Sequence, residues 1–274
     1  MRRAIVFSSI LATLLAPMAG AAGEGVVYGG SSTLAETVLQ GGAIRAFENK
    51  TGVKFTVADL SGTGKGIKAL ADGRLNLVGA GRTLEPAEKK SGLLGTIVGY
   101  DGLAVYVNKA NGVKGLTKAQ LKDLFTGKVK SWKEVGGADV PVVPMIEPVA
   151  SKRATVALFQ ELVLDGAPYV GVREMEQLRD QLAETSRNKG GIAVASIGFL
   201  PSVDPGVRGG LRAISLDATD ASAGNIRSGA YLLSRPMLLV TKGLPSGDVK
   251  AFIDYMVSND GQAIVEKFFV RVKK

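Results

Sequence analysis

Two short loops carry the residue types best suited to chemistry, Gly29-Gly30-Ser31-Ser32-Thr33 and Ser61-Gly62-Thr63-Gly64-Lys65-Gly66, and each leads from a strand-like stretch into a helical pattern. Loops of this kind bind small anions. The first N–H groups of a helix lack intrahelical acceptors, Ser and Thr hydroxyls add donors beside them, and the helix dipole adds partial positive charge at the same point. Glycine lets the backbone come close to a ligand. Ser32, Thr33, Ser61, Gly62 and Thr63 are therefore candidate anion ligands. The plainer role for Ser31-Ser32-Thr33 is a helix cap worth ~1 kcal/mol. The second loop is not a Walker loop, because the required glycine spacing and the Lys-Ser/Thr pair are absent.

Cations add to this picture. Arg82 follows a strand end, where its side chain is either solvated or aimed at a cleft. Ser151, Lys152 and Arg153 stand at a helix start, where cations oppose the dipole's preference for acids. A bound anion would compensate them, and so would simple solvation. Asp59 and Glu147 lie near the loops and could accept a proton from a ligand. Asp101 reads as a hinge or turn residue, and Trp132, the only tryptophan, as packing. The chain has no histidine and no cysteine, which removes the commonest bases, nucleophiles and transition-metal ligands. An enzyme is not expected, nor is a metal or a cofactor.

The elements that must position these residues alternate. Val26 to Tyr28 reads as a strand, and Thr33 with Glu36 as a capping box that opens a helix toward Phe47, with Gly41-Gly42 weakening its continuity. Val53 to Ala58 is strand-like, Ile67 to Ala71 helical, and Leu75 to Ala80 strand-like again. Such alternation predicts an α/β layer structure with ligands beyond the carboxyl ends of the strands. Ile97 to Val107 and Met237 to Thr241 are long apolar strands able to cross between two lobes. Thr117 with Gln120 is a second capping box. Val140 to Met145, Gly191 to Ala195 and Leu211 to Leu216 read as strands. Helices are expected from Ser151, over Glu174 to Ala183, over Ser246 to Met256 and over Gly261 to Phe268.

Residues 1–22 read as a secretory signal, with Arg2-Arg3, an apolar run from Ala4 to Ala16 and a small-residue stretch ending at Ala22. The run is shorter than the ~20 residues of a membrane span. Without cysteine there is neither a disulfide nor a lipid-anchor site, so a free periplasmic or further secreted protein is expected. The formal charge of +9, reduced by the loss of Arg2 and Arg3, favours small anions or acidic surfaces. Nucleic acid is a weaker reading, since the basic residues are scattered and aromatics are only 6%.

The ordered series Gly30-Ser31-Ser32-Thr33, Ser61-Gly62-Thr63-Gly64-Lys65-Gly66, Asp101-Gly102-Leu103-Ala104-Val105, Leu116 to Gly127, Ser131-Trp132-Lys133-Glu134-Val135 and Leu233-Ser234-Arg235-Pro236 resembles the phosphate-binding periplasmic proteins of ABC transporters. The resemblance covers most of the chain beyond the signal. It implies a two-lobed type II periplasmic-binding-protein fold, with lobe 1 discontinuous over 23–102 and 238–274 and lobe 2 over 103–237. It also implies a monomer that holds inorganic phosphate or a similar oxyanion between lobes that close by hinge motion, and delivers it to an ABC permease in the inner membrane. Ser32, Thr33 and Ser61 match the family's first-lobe hydroxyls, and Arg82 stands where some members carry an aspartate that accepts the ligand's proton and others an arginine. The second lobe departs from the pattern: Ile146 replaces the usual arginine and Ala150-Ser151-Lys152 replaces Ser-Gly-Thr, with Arg153 next. An acceptor carboxylate is what separates hydrogen phosphate from sulfate, so Asp59 or Glu147 would have to supply it. The competing reading is an accessory binding protein without transport, whose altered second lobe takes another anion or none.

Overall fold

The computed structural model describes residues 25–272 with the exception of Lys152. The signal expectation over 1–22 and the candidate Lys152 therefore lie outside the described residues. Among the described residues ten strands form one sheet: β1 (Val26–Gly30), β2 (Phe55–Asp59), β3 (Leu77–Ala80), β4 (Leu93–Asn108), β5 (Gly115–Leu116), β6 (Val143–Ile146), β7 (Arg173–Glu174), β8 (Gly191–Ser196), β9 (Leu211–Leu216) and β10 (Ser234–Lys242). The order is β2-β1-β3-β10-β4-β8-β6-β7, with β9 paired to β4 and β5. β1 runs parallel to β2 and β3, and β6 parallel to β8, while β10 and β4 are antiparallel to each other and to their outer neighbours. The four residues of β3 and the six of β8 are buried throughout. Helices cover both faces of such strands, which is why they read as continuous apolar runs.

β4 holds the two halves of the sheet together. From Leu93 to Gly102 it pairs with β10, and from Leu103 onward with β8 and β9. The core divides at the same place. One cluster gathers Tyr28, Leu34, Phe47, Phe55, Leu77, Met237, Leu239 and Phe252. Another gathers Leu103, Leu121, Phe125, Trp132, Phe159, Val194, Tyr231 and Leu233. Trp132 is fully buried and its indole N–H donates to the Gly190 carbonyl (2.9 Å). Along the sheet the chain passes between the clusters after Val98 and after Leu233, on the strands whose apolar length singled them out.

Local differences from expectation have local causes. The first helix is capped by Ser31, whose hydroxyl accepts from Leu34 N–H (3.2 Å), and not by Thr33. It runs through a π-helical stretch, Ala35–Ala43, into Ile44–Thr51, bent where Gly42 takes φ 138°. The helix expected from Ser151 begins instead at Ala154, after a 3-10 turn over Val149–Ser151. The helix expected over Glu174 to Ala183 runs Leu178–Arg187, because Arg173 and Glu174 extend the sheet beside β6. The last helix, expected over Gly261 to Phe268, is Asn259–Val265, starting two residues earlier and ending three residues sooner. The Thr117 capping box forms as expected.

Candidate functional site

The carboxyl ends of β1, β2 and β6 face a common point, and each strand is followed there by a loop and a helix start. After β1, Gly30 takes φ +98°, and a Cβ there would meet the Gly79 carbonyl at 2.5 Å, so only glycine carries the chain into the turn. Ser31 N–H then donates to the Gly79 carbonyl (2.9 Å), and the buried Tyr28 hydroxyl donates to the Ser31 carbonyl (2.9 Å). Burial pushes the Tyr28 phenol up, so it remains a donor. After β2, Gly62 caps the helix Thr63–Ala71 with φ +100°, and its N–H donates to the Gly30 carbonyl (3.0 Å), which ties the two loops together. Thr63 is buried, and its hydroxyl oxygen accepts from Gly81 N–H (3.2 Å). After β6, Arg153 caps the helix Ala154–Leu162.

These helix starts enclose a cavity of about 20 Å³ lined by Ser31, Ser32, Thr33, Gly62, Thr63, Glu147, Arg153, Ala154, Thr155 and Arg235. A second small recess adjoins it through Ser32, Thr33, Glu147 and Arg153 and reaches Glu36 and Glu176. Converging helix N-termini direct unpaired N–H groups and partial positive charge at one spot. Hydroxyls of Ser32, Thr33, Thr63 and Thr155 surround it.

The charged lining is ordered by ion pairs. Arg153 donates from Nη1 to Glu147 Oε1 (2.9 Å) and to the Glu176 carbonyl (3.0 Å), and from Nη2 to the Glu176 carboxylate. Burial works against its charge, but Glu147 and Glu176 outweigh it and hold the guanidinium above its ordinary range. Glu147 is buried at the end of β6. Arg235, the second residue of β10, is 3% exposed and pairs with the fully buried Asp101 of β4. Burial pushes the Asp101 carboxyl up, opposed by Arg235, by Ser196 and by Gly102 N–H.

Of the sequence candidates, Ser32, Thr33, Gly62, Thr63 and Arg153 therefore meet at the cavity, together with Glu147. Three others are engaged elsewhere. Ser61 donates to Asp59 Oδ2 (2.9 Å) while its N–H donates to Asp59 Oδ1 (2.8 Å), so both close a local turn beside the cavity. Arg82 donates twice to Glu88 (2.8 and 2.7 Å) and pairs with Glu85. Ser151 donates to the Pro148 carbonyl (2.6 Å) and accepts from Arg153 N–H (3.3 Å). Arg235, Thr155 and Ala154 line the cavity without having been candidates. The Asp101-Gly102 and Ser234-Arg235-Pro236 motifs were visible in sequence, but their pairing across 134 positions was not.

The arrangement can bind a small oxyanion, and an acceptor carboxylate among the donors can take a ligand proton. Among the described residues, no group of three or more His, Cys, Asp or Glu side chains could hold a metal ion. No helix among them is long and apolar enough to cross a membrane.

Known proteins bear on this geometry. A PBP superfamily domain matches residues 16–260. The phosphate-binding protein PstS of Bacillus subtilis is 32% identical over 209 residues, which span 73% of this chain and 65% of that protein. The phosphate-binding protein PstS of Borreliella burgdorferi is 25% identical over 276 residues, 97% of each chain. Among solved structures, a Clostridium perfringens protein described as a phosphate ABC transporter substrate-binding protein, with bound phosphate, superposes with a TM-score of 0.80 at 30% identity, over 91% of this chain and 100% of that one.

Proposed function

Because this chain belongs to the PBP superfamily, we propose that it captures phosphate, or a tetrahedral oxyanion of the same kind, between two lobes and delivers it to an ABC permease. The observation that carries this reading is the cavity where three helix starts, five hydroxyl-bearing residues and two arginines meet. In this reading lobe 1 comprises 23–102 and 238–274, lobe 2 comprises 103–237, and β4 and β10 are the hinge strands. Ser32, Thr33, Gly62 and Thr63 bind the anion from lobe 1, and the helix start at Ala154 binds it from lobe 2, where Arg153, paired with Glu147 and Glu176, adds positive charge beside it. The protein works in the periplasm as a monomer and catalyses no reaction.

Glu147 completes the site as the acceptor for the ligand's proton. Its Oε1 accepts from Arg153, and its carboxylate lines both recesses, whereas Asp59 is occupied by Ser61 outside the cavity. A fully deprotonated oxyanion has nothing to donate to it and meets like charge instead. The test is calorimetric titration of the ligand-stripped protein with phosphate and with sulfate. Saturable 1:1 phosphate binding with sulfate excluded supports the reading. Binding of neither would favour the accessory protein with a different ligand.

A further inference from the structure

Arg235 occupies a place that structural need alone does not explain. It stands in register with Asp101 where β10 meets β4, and both side chains are buried. A buried ion pair repays its desolvation poorly, and apolar replacements of similar volume are often neutral or stabilising. The orientation of the guanidinium is the telling feature. Nε and Nη2 both donate to Asp101 Oδ2 (3.0 and 2.8 Å). The other oxygen, Oδ1, accepts from the Ser196 hydroxyl (2.9 Å), so the carboxylate cannot swing away. Nη1 is left on the opposite edge. There it donates one long hydrogen bond to Thr155 Oγ1 (3.3 Å), in the first turn of the helix Ala154–Leu162, and lies over Gly81, where an added Cβ would come within 3.3 Å of it. Arg235 and the Thr155 that this nitrogen bonds both line the anion cavity. Nη1 carries two hydrogens, and Thr155 uses one.

We propose that Arg235 is a ligand-contacting residue of the site, donating from Nη1 to the bound oxyanion, with Asp101 and Ser196 fixing the plane of its guanidinium. The inference rests on the oxyanion reading above and adds to it a cation from the crossing strand. Such a cation is needed here. At the start of the second-half loop Ile146 is an apolar, fully buried side chain, and Arg153 spends its fork on Glu147 and Glu176. Because Asp101 balances the charge of Arg235, the contribution is directional and depends on the planar fork. Lysine, with a point charge on a flexible stem, cannot grip Asp101 from two nitrogens and face the cavity with a third.

The test is calorimetric titration of the whole protein, stripped of ligand, with inorganic phosphate. Wild type is compared with Arg235→Lys and with the paired variant Asp101→Asn with Arg235→Gln, which exchanges the ion pair for a neutral hydrogen-bonding pair. Thermal melts confirm that each is folded. The expected result is phosphate binding about 10- to 100-fold weaker in the paired variant and weakened in Arg235→Lys, as for loss of a charge-assisted hydrogen bond. A folded paired variant, or a folded Arg235→Lys, with phosphate affinity within about twofold of wild type would overturn the assignment while the oxyanion reading stands. Absence of phosphate binding by wild type would overturn both.

Discussion

Glu147→Gln is the substitution with the clearest expected outcome. The carboxylate is buried at the end of β6 and lines the cavity beside Ser32 and Thr33. The amide keeps an oxygen to accept from Arg153 Nη1, so the local ion-pair geometry survives with one charge removed. For a protonated phosphate oxygen, donation to a carboxylate contributes about 1.5–3 kcal/mol. For a sulfate oxygen in the same place, two like charges about 4 Å apart cost on the order of 4 kcal/mol at an effective dielectric of about 20. Together these imply discrimination of ~10³ or more, in the range of sites whose polar groups reject an analogue lacking the required proton. Glutamine removes the repulsion and can turn its NH₂ toward either anion. The phosphate-to-sulfate affinity ratio is therefore expected to fall by about 10²–10³, mainly through a gain in sulfate binding. Titration of both anions at fixed salt and neutral pH reads it directly. A folded variant that binds phosphate and still excludes sulfate as wild type does would refute the role of Glu147.

Further expectations follow from residues around the site and in the core. Arg82→Gln should leave phosphate affinity within about threefold of wild type, because Glu88 and Glu85 hold its guanidinium in a partly buried ion-pair network outside the cavity; a loss beyond about tenfold would put Arg82 back among the ligands. Trp132→Phe should cost about 2–4 kcal/mol in denaturant unfolding, since it removes buried volume and strands the Gly190 carbonyl; an unchanged midpoint would contradict that packing role. Hydrogen bonds from Lys118 and Lys122 hold the Asp165 carboxyl at about 2, below its ordinary 3.8. A depressed acid stabilises the fold above its unfolded value and loses that contribution as pH falls toward the folded one. Wild type should gain melting temperature relative to Asp165→Asn as pH rises from about 2 to about 4, and no more above that; a constant gap would contradict the pairing.

How much of this was legible in the sequence depended on how local each cause was. The glycine loops, the Thr117 capping box and the apolar lengths of β4 and β10 are set by neighbouring residues, and they stand where pattern placed them. Gly30 and Gly62, glycines of the two loops, both take positive φ. Ser61 and Arg82 are engaged by acids for an equally local reason that was open to reading. Asp59 lies two residues before Ser61, and Glu85 and Glu88 lie three and six after Arg82, so each candidate donor had an acid within reach. Ser151 was two residues early as a cap because its hydroxyl turns back to Pro148. Arg235 could not be placed by pattern. Its partner Asp101 is 134 positions away, and only the antiparallel register of β10 on β4 brings the two together at the cavity. Glu147 was one of two possible acceptors until the end of β6 set it, and not Asp59, against the helix starts.

The most direct test of anion capture at this site is a crystal structure of the protein grown with phosphate. A tetrahedral ion is expected in the cavity, within hydrogen-bond distance of Ser32, Thr33, Thr63 and the helix start at Ala154, with one oxygen on Glu147 and one on Arg235 Nη1. Phosphate seated away from these residues, or an empty cavity at saturating phosphate, would contradict it.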